Sequence, residues 1–342
     1  MASIMGWDIG GVNIKAARLI PGGPPRVALE PFELQRAPRR LGPTLAAIAG
    51  ALGSDPDDHH AVTMTAELSQ FFRTKREGVE FVLDAVEGCF GSARVHVFGT
   101  DGAFHLPAAA RAHPLEIAAA NWLATARLVA QVVETCLLVD IGSTTADIIP
   151  IVRGEVVATG RTDPDRLASG ELLYTGALRT PAEAVVQRVP FHSGMAGVST
   201  EGFALMGDVH VWLGALSPEH YTVPTPDGRP ASRDFAGERL ARVVCGDRAL
   251  VSDTDVDAIA RAIAAAQTAL VVEAIGRVHA RHAAITTAVV TGLGDFIASR
   301  AAQQAGLSVT RLADRMGEAA AVAAPATAVA TLLEQALARV GG

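Results

Sequence analysis

Two stretches of this chain order an acid, glycines and small polar residues as chemistry on a phosphate requires. The first is Met5-Gly6-Trp7-Asp8-Ile9-Gly10-Gly11-Val12-Asn13-Ile14-Lys15, and the second is Leu137-Leu138-Val139-Asp140-Ile141-Gly142-Ser143-Thr144-Thr145-Ala146-Asp147. In each, an apolar run ends in an acid, turns tightly at glycine and resumes, the pattern of a β-hairpin and not of a strand feeding a helix. Glycines let the backbone approach an anion and aim N–H groups at it, Lys15 can reach that anion, and an acid can hold a cation that the anion shares. Gly10, Gly11, Asn13, Gly142, Ser143, Thr144 and Thr145 are therefore candidates for phosphate binding, with Asp8 and Asp140 as candidate ligands of that cation and Lys15 meeting the charge on the phosphate. The recurrence implies a duplicated fold with one anion site between its halves.

Further candidates lie at strand ends and in polar turns. Gly292-Leu293-Gly294 follows the apolar run Ala288 to Thr291 and suits a phosphate or nucleotide turn. No third glycine follows, which argues against a dinucleotide fingerprint. Glu67, Asp101 and Asp208 are candidate bases, although each also suits a helix cap or a turn. Arg73, Lys75 and Arg76 could steady phosphate or carboxylate, or simply form a solvated basic turn. His59-His60 beside Asp57-Asp58 reads as a surface turn and not a metal site, because adjacent side chains there diverge, and no histidine has zinc spacing. Ser143 lacks the Gly-x-Ser-x-Gly elbow of a nucleophile, so its hydroxyl is expected to bind phosphate.

The elements that must position these residues alternate as strand and helix, which indicates an α/β protein. Strands are expected at Ile4 to Trp7, Ile14 to Ile20 and Arg26 to Leu34, with a buried strand at Ala61 to Thr65 and a helix at Gly78 to Cys89. A long helix is expected from His113-Pro114 through Val133, others over Asp253 to His282 and Phe296 to Ala305, and a last over Met316 to Val340. The length of 342 residues suits two cores. The halves are expected at 1–134 and 135–342, with an inserted substrate-facing subdomain over about 160–246 and the last helix crossing back onto the first half.

Composition narrows the function classes. The chain is 49% hydrophobic but only 5% aromatic, its net charge is −7, and no basic block stands out, so a sequence-independent grip on nucleic acid is not expected. Cys89, Cys136 and Cys245 read as buried free thiols, which fits a reducing cytoplasm. No signal peptide is recognised, and the apolar stretch Ala319 to Leu333 contains Pro325 and is shorter than a membrane span requires. A cytoplasmic enzyme of small molecules, with no membrane or nucleic-acid partner and open to homo-oligomer formation, is the expected class.

Together, the two hairpins and the Gly292 turn resemble the two phosphate motifs and the nucleotide motif of the acetate kinase, sugar kinase, Hsp70 and actin superfamily. That resemblance implies two ribonuclease-H-like domains of the actin-like ATPase type, with a cleft between them that clamps phosphates and Mg²⁺. The first hairpin, Met64-Thr65-Ala66-Glu67-Leu68, Thr74 to Val79, the second hairpin and Gly202 to Asp208 resemble, over nearly the whole chain, hydantoinase/oxoprolinase-related proteins linked to tetrahydromethanopterin-dependent one-carbon pathways. The resemblance implies a transferase of methanofuran or methylofuran biosynthesis. Such an enzyme joins an aminomethylfuran-methyl diphosphate to the phenol of γ-glutamyltyramine as an ether and releases pyrophosphate, with catalysis mainly electrostatic. The alternatives are an ATP-dependent kinase or a hydantoinase/oxoprolinase-like enzyme, for which ATP would be the cofactor, and a non-catalytic nucleotide sensor.

Overall fold

Alternation of side chains along the first strands decides how the fold is layered. The computed structural model describes residues 3–20 and 22–340, so that Met1, Ala2, Pro21, Gly341 and Gly342 lie outside the described residues. The first six strands are β1 (Ile4–Ile9), β2 (Asn13–Arg18), β3 (Arg26–Pro31), β4 (His59–Met64), β5 (Val95–Phe98) and β6 (Phe104–His105). They form one sheet in the order β3-β2-β1-β4-β5-β6. The pairs β1–β2, β2–β3 and β5–β6 are antiparallel, while β1–β4 and β4–β5 are parallel. Met5, Trp7 and Ile9, with Ile14, Ala16, Val62 and Met64, face a core shared with the helices Leu41–Ala51 and Lys75–Phe90. Period-2 alternation puts Gly6, Asp8, Lys15, Ala17, Ala61 and Thr63 on the opposite face.

That opposite face is covered at one end by the helix Ala324–Val340, which packs on β1, β2 and β4. The approach is close because Gly6 carries no side chain: a Cβ there would sit 1.9 Å from the carbonyl oxygen of Ala326. The helix contacts therefore draw the end of the chain into the first compact unit, which comprises Met1–Thr135, Ile151–Asp163 and Leu312–Gly342. The second unit is Cys136–Pro150 with Pro164–Arg311. The observed division departs from 1–134 and 135–342 at Ile151–Asp163, while the return of Leu312–Gly342 to the first unit is the crossing-back of the last helix and rests on its packing against β1.

The remaining strands are β7 (Cys136–Ile141), β8 (Ala146–Val152), β9 (Glu155–Val156), β10 (Leu172–Leu173), β11 (Arg188–Phe191), β12 (Gly194–Gly197), β13 (Thr287–Thr291) and β14 (Ser308–Arg311). The second sheet runs β10-β8-β7-β13-β14, with β9 beside β8, while β11 and β12 form a separate hairpin. β13 is parallel to both β7 and β14. Both sheets therefore place a hairpin strand, its partner and two parallel strands in the same order, the ribonuclease-H-like arrangement. Residues of the 160–246 stretch, among them Val189, Met206, Trp212 and Leu240, form a core with Val256, Ile259 and Ile263 of the helix Asp253–Arg281. That helix starts at a reciprocal cap, Ser252 Oγ accepting from Asp255 N–H while the Asp255 carboxylate accepts from Ser252 N–H. It is long and apolar enough to cross a membrane, but Val271, Ile275 and Val278 are buried with the residues above as in a core helix.

Three expectations are corrected. The helix expected from His113 to Val133 is instead Pro114–Ile117 and Asn121–Val132, because Ala119 turns left-handed at φ 51° and donates its N–H to Met64 O. The last helix breaks into Ala313–Met316, Glu318–Val322 and Ala324–Val340, the first break falling at Gly317 with φ 85°. His59 and His60 begin β4 and are not in a surface turn: His60 is buried, accepts from Trp7 Nε1–H at 3.1 Å and stacks on Phe90, while His59 meets His96.

Candidate functional site

In the first unit, Asp8 and Lys15 are direct partners in the β1–β2 register, and Asp8 is also level with Thr63 on β4. Cross-strand neighbours share a face, so these three side chains form one polar row on the face opposite the Trp7 core. Lys15 Nζ lies 3.4 Å from Asp8 Oδ2. Asp8 Oδ1, Thr63 Oγ1 and Asn13 Oδ1 are buried and make no hydrogen bond among the described residues. Buried polar atoms are nearly always satisfied, so a group of orphans on one face is the mark of a ligand site.

Glu67 follows the end of β4 and is 2% exposed, and neither carboxylate oxygen reaches a donor on another described residue. Burial pushes its pKa from 4.5 up to about 7; Asp163 and Asp8 add to the rise, while Lys75 opposes it. The helix Lys75–Phe90 holds it there, starting at Thr74, whose side chain accepts from Glu77 N–H at 3.2 Å, and packing Gly78 against Glu67. A carboxyl group poised near neutrality is suited to take or give a proton.

The hairpin tips are built alike. Gly11 O and Val12 O accept from Leu34 N–H and Phe32 N–H, while Gly142 O accepts from Ala177 N–H and Ser143 O from Leu178 and Arg179 N–H. In a planar trans peptide the N–H opposes the C=O, so the N–H groups of Val12, Asn13, Ser143 and Thr144 point away from those supports, as an anion nest requires. Gly176 makes the second support close: a Cβ on it would lie 2.4 Å from Thr144 N. Asp140 ends β7 level with Thr291, and its Oδ1 occupies the space a Cβ on Gly292 would need, at 2.4 Å. Gly294 donates its N–H to Ile141 O and opens the helix Asp295–Gln304, so both glycines press on the acid-bearing strand end.

Other candidates are already engaged or lie exposed. Lys75 is paired with Asp163 at 2.8 Å, and Arg73 and Arg76 are exposed. Asp101 accepts from Ala103 N–H and pairs with His105 in a turn. Asp208 is corrected from a base to a structural acid: it is fully buried, accepts from Leu205 N–H at the start of the helix Met206–Trp212, and holds Arg239 at 2.7 Å. Burial pushes its pKa up against the pull of Arg239, but no oxygen is left for a substrate proton. Thr63, Gly176 and Arg179 escaped the sequence reading, and Gly78 entered it only within the family-like run Thr74 to Val79. Thr63 alone left a signal, a polar residue inside an apolar strand.

Among the described residues no three His, Cys, Asp or Glu side chains converge as a metal cage. Mg²⁺ needs none, since one or two carboxylates plus water and substrate phosphate suffice, and the orphaned Asp8 Oδ1 fits that demand.

A family model described as Hydantoinase/oxoprolinase matches residues 58–336. The chain belongs to the hydantoinase/oxoprolinase family. Family relatives include a protein of Methanocaldococcus jannaschii, 36% identical over 337 residues that make up 98% of each chain, named (4-{4-[2-(gamma-L-glutamylamino)ethyl]phenoxymethyl}furan-2-yl)methanamine synthase. A protein of Methanococcus vannielii with the same name is 34% identical over 208 residues, 60% of this chain and 93% of its own. Nucleotide-free acetone carboxylase superposes with a TM-score of 0.52 over 89% of this chain and 67% of its own, at 11% identity, which shows a shared fold alone.

Proposed function

We propose that this member of the hydantoinase/oxoprolinase family is an ether-forming transferase of methanofuran or methylofuran biosynthesis. Its substrates on this reading are an aminomethylfuran-methyl diphosphate and the phenol of γ-glutamyltyramine. The bond between the methylene carbon and the diphosphate oxygen breaks, its electron pair leaving with pyrophosphate, and the phenolic oxygen bonds to that carbon as its proton passes to a base. The full-length likeness to a methanogen synthase supports the reaction, and the buried Glu67 supports the chemistry, being the one observation that carries it.

Glu67 is the base in this reading. A phenol has a reference pKa of about 10, and a carboxylate raised toward neutrality accepts its proton far better than an ordinary one. Lys15 meets the charge that grows on the leaving group, and each hairpin tip offers N–H groups to phosphate oxygens. Asp8 in the first unit, and Asp140 as the matching acid of the second, are the residues that would take up Mg²⁺, which when bound neutralises diphosphate charge. Leu68 and Phe71, both exposed and close to Glu67 in sequence, offer an apolar platform for the acceptor ring.

The test incubates the purified chain with both substrates and Mg²⁺, without ATP, and measures ether and pyrophosphate together. Equal amounts of the two support the transferase. No product, with substrate-stimulated ADP release once ATP is added, would put the ATP-dependent alternative in its place.

A further inference from the structure

The second unit contains a cavity of about 160 Å³ that the proposed reaction does not use. Its lining includes His210, Thr268, Phe296, Ile297, Arg261 and Arg300. Cavities near this size hold a six-carbon ring. Two guanidinium groups mark the mouth: Arg261 is engaged by Asp257 at 2.7 Å, whereas exposed Arg300 makes no ion pair among the described residues. The inner end is His210, 4% exposed, with the edge of the Phe296 ring against it at 4.9 Å between centroids.

The hydrogen bonds around His210 fix its tautomer. Gln267 is 1% exposed and donates through Nε2 to Thr175 Oγ1 at 3.0 Å and to Gly176 O at 2.8 Å. Its Oε1 is therefore an acceptor, and the His210 Nε2 that lies 3.0 Å away must carry the proton. Burial pushes the imidazole pKa down to about 4, so the ring is neutral and Nδ1 is an acceptor with no hydrogen bond among the described residues. The cavity thus offers a positive mouth, room for a ring beside Phe296 and Ile297, and an acceptor at its base.

The geometry points to a second ligand site, for a small hydroxylated carboxylate whose acid group meets Arg300 and whose hydroxyl donates to His210 Nδ1. Through Gln267 the same imidazole is tied to Gly176, the glycine on which the Ser143–Thr144 turn rests. Occupancy should therefore be felt at that turn.

The probes are 4-hydroxybenzoate, benzoate and phenol, titrated into the intact chain by calorimetry and by amide NMR. This readout needs no turnover, so its failure is separable from failure of the proposed reaction. Expected are saturable 4-hydroxybenzoate binding at least about fivefold tighter than that of either probe lacking one group, and a shift of the Gly176 amide. Arg300→Ala, at an exposed position, should weaken 4-hydroxybenzoate about tenfold and leave phenol unchanged. Absence of saturation at 10-millimolar levels, equal affinity for benzoate, an unaffected Arg300→Ala protein, or a silent Gly176 amide would each overturn the inference.

Discussion

A methyl group on Gly78 would lie 2.5 Å from the Cα of Glu67 and 2.7 Å from its carbonyl oxygen. The first turn of the helix Lys75–Phe90 therefore touches Glu67 with bare backbone. Glycine to alanine inside a helix ordinarily stabilises by about 0.5–1 kcal/mol. Here the new carbon meets backbone that cannot swing aside, and overpacking of that kind costs about 1–3 kcal/mol. Gly78→Ala should lower both the melting temperature and the turnover. A melting temperature equal to or above that of the unchanged chain would refute the contact.

Glu67 itself should control the pH response in two ways. As a base it must be ionised, so turnover should rise with pH through a midpoint near 7 and then level off. Glu67→Gln should remove that rise and reduce turnover by about 100-fold or more.

The stability response of Glu67 has the opposite sign. Its folded pKa is raised, so between about pH 4.5 and 7 the folded chain holds a proton the unfolded chain has released, and stability falls as pH rises through that window. The Gln variant should gain on the parent over the same range in urea melts. A gap independent of pH would contradict the burial of an ionising carboxyl group.

Asp8 and Lys15 face one another on adjacent strands, but they should fail differently. Lys15→Ala should lower kcat more than it raises KM, because the charge Lys15 meets grows only as the leaving group departs. Asp8→Asn keeps the volume of the side chain while removing the anion, and should abolish both turnover and its Mg²⁺ dependence with an unchanged melt. Parent-like rates in the Asn variant would remove Asp8 from the metal assignment.

The two hairpins were legible because everything they require is local: an acid at a strand's end, glycine at the tip, and alternation on both sides. What holds them was not. Gly176 supports Ser143 and Thr144 across a stretch with no regular pattern, and nothing in the sequence distinguishes it from a loop glycine. Asp208 looked available as a base because its partner, Arg239, is separated from it by 31 positions, and an ion pair of that span leaves no periodic trace. The kink at Ala119 is invisible for a simpler reason, since alanine is the residue least expected to leave a helix.

Asp140 and Gly292 make the sharpest test of the second hairpin. Alanine at Gly292 meets three obstacles, a left-handed backbone at φ 90°, the Asp140 Oδ1 at 2.4 Å and the carbonyl group of Ile141, its oxygen also at 2.4 Å. Gly154 supplies the control, because it too is left-handed, at φ 78°, but a Cβ there has nothing within 4 Å. Gly154→Ala should therefore cost about 1–2 kcal/mol of backbone strain and leave turnover intact. Gly292→Ala carries the same strain and in addition must displace both the carboxylate and the Ile141 carbonyl at the end of the same strand. Its turnover should fall toward that of Asp140→Asn, by about 100-fold or more, and pyrophosphate affinity in the presence of Mg²⁺ should fall with it. If the two alanine variants instead lose the same stability and both keep full turnover, the position of the Asp140 carboxylate does not matter to the reaction, and the acid at the end of β7 is no metal ligand.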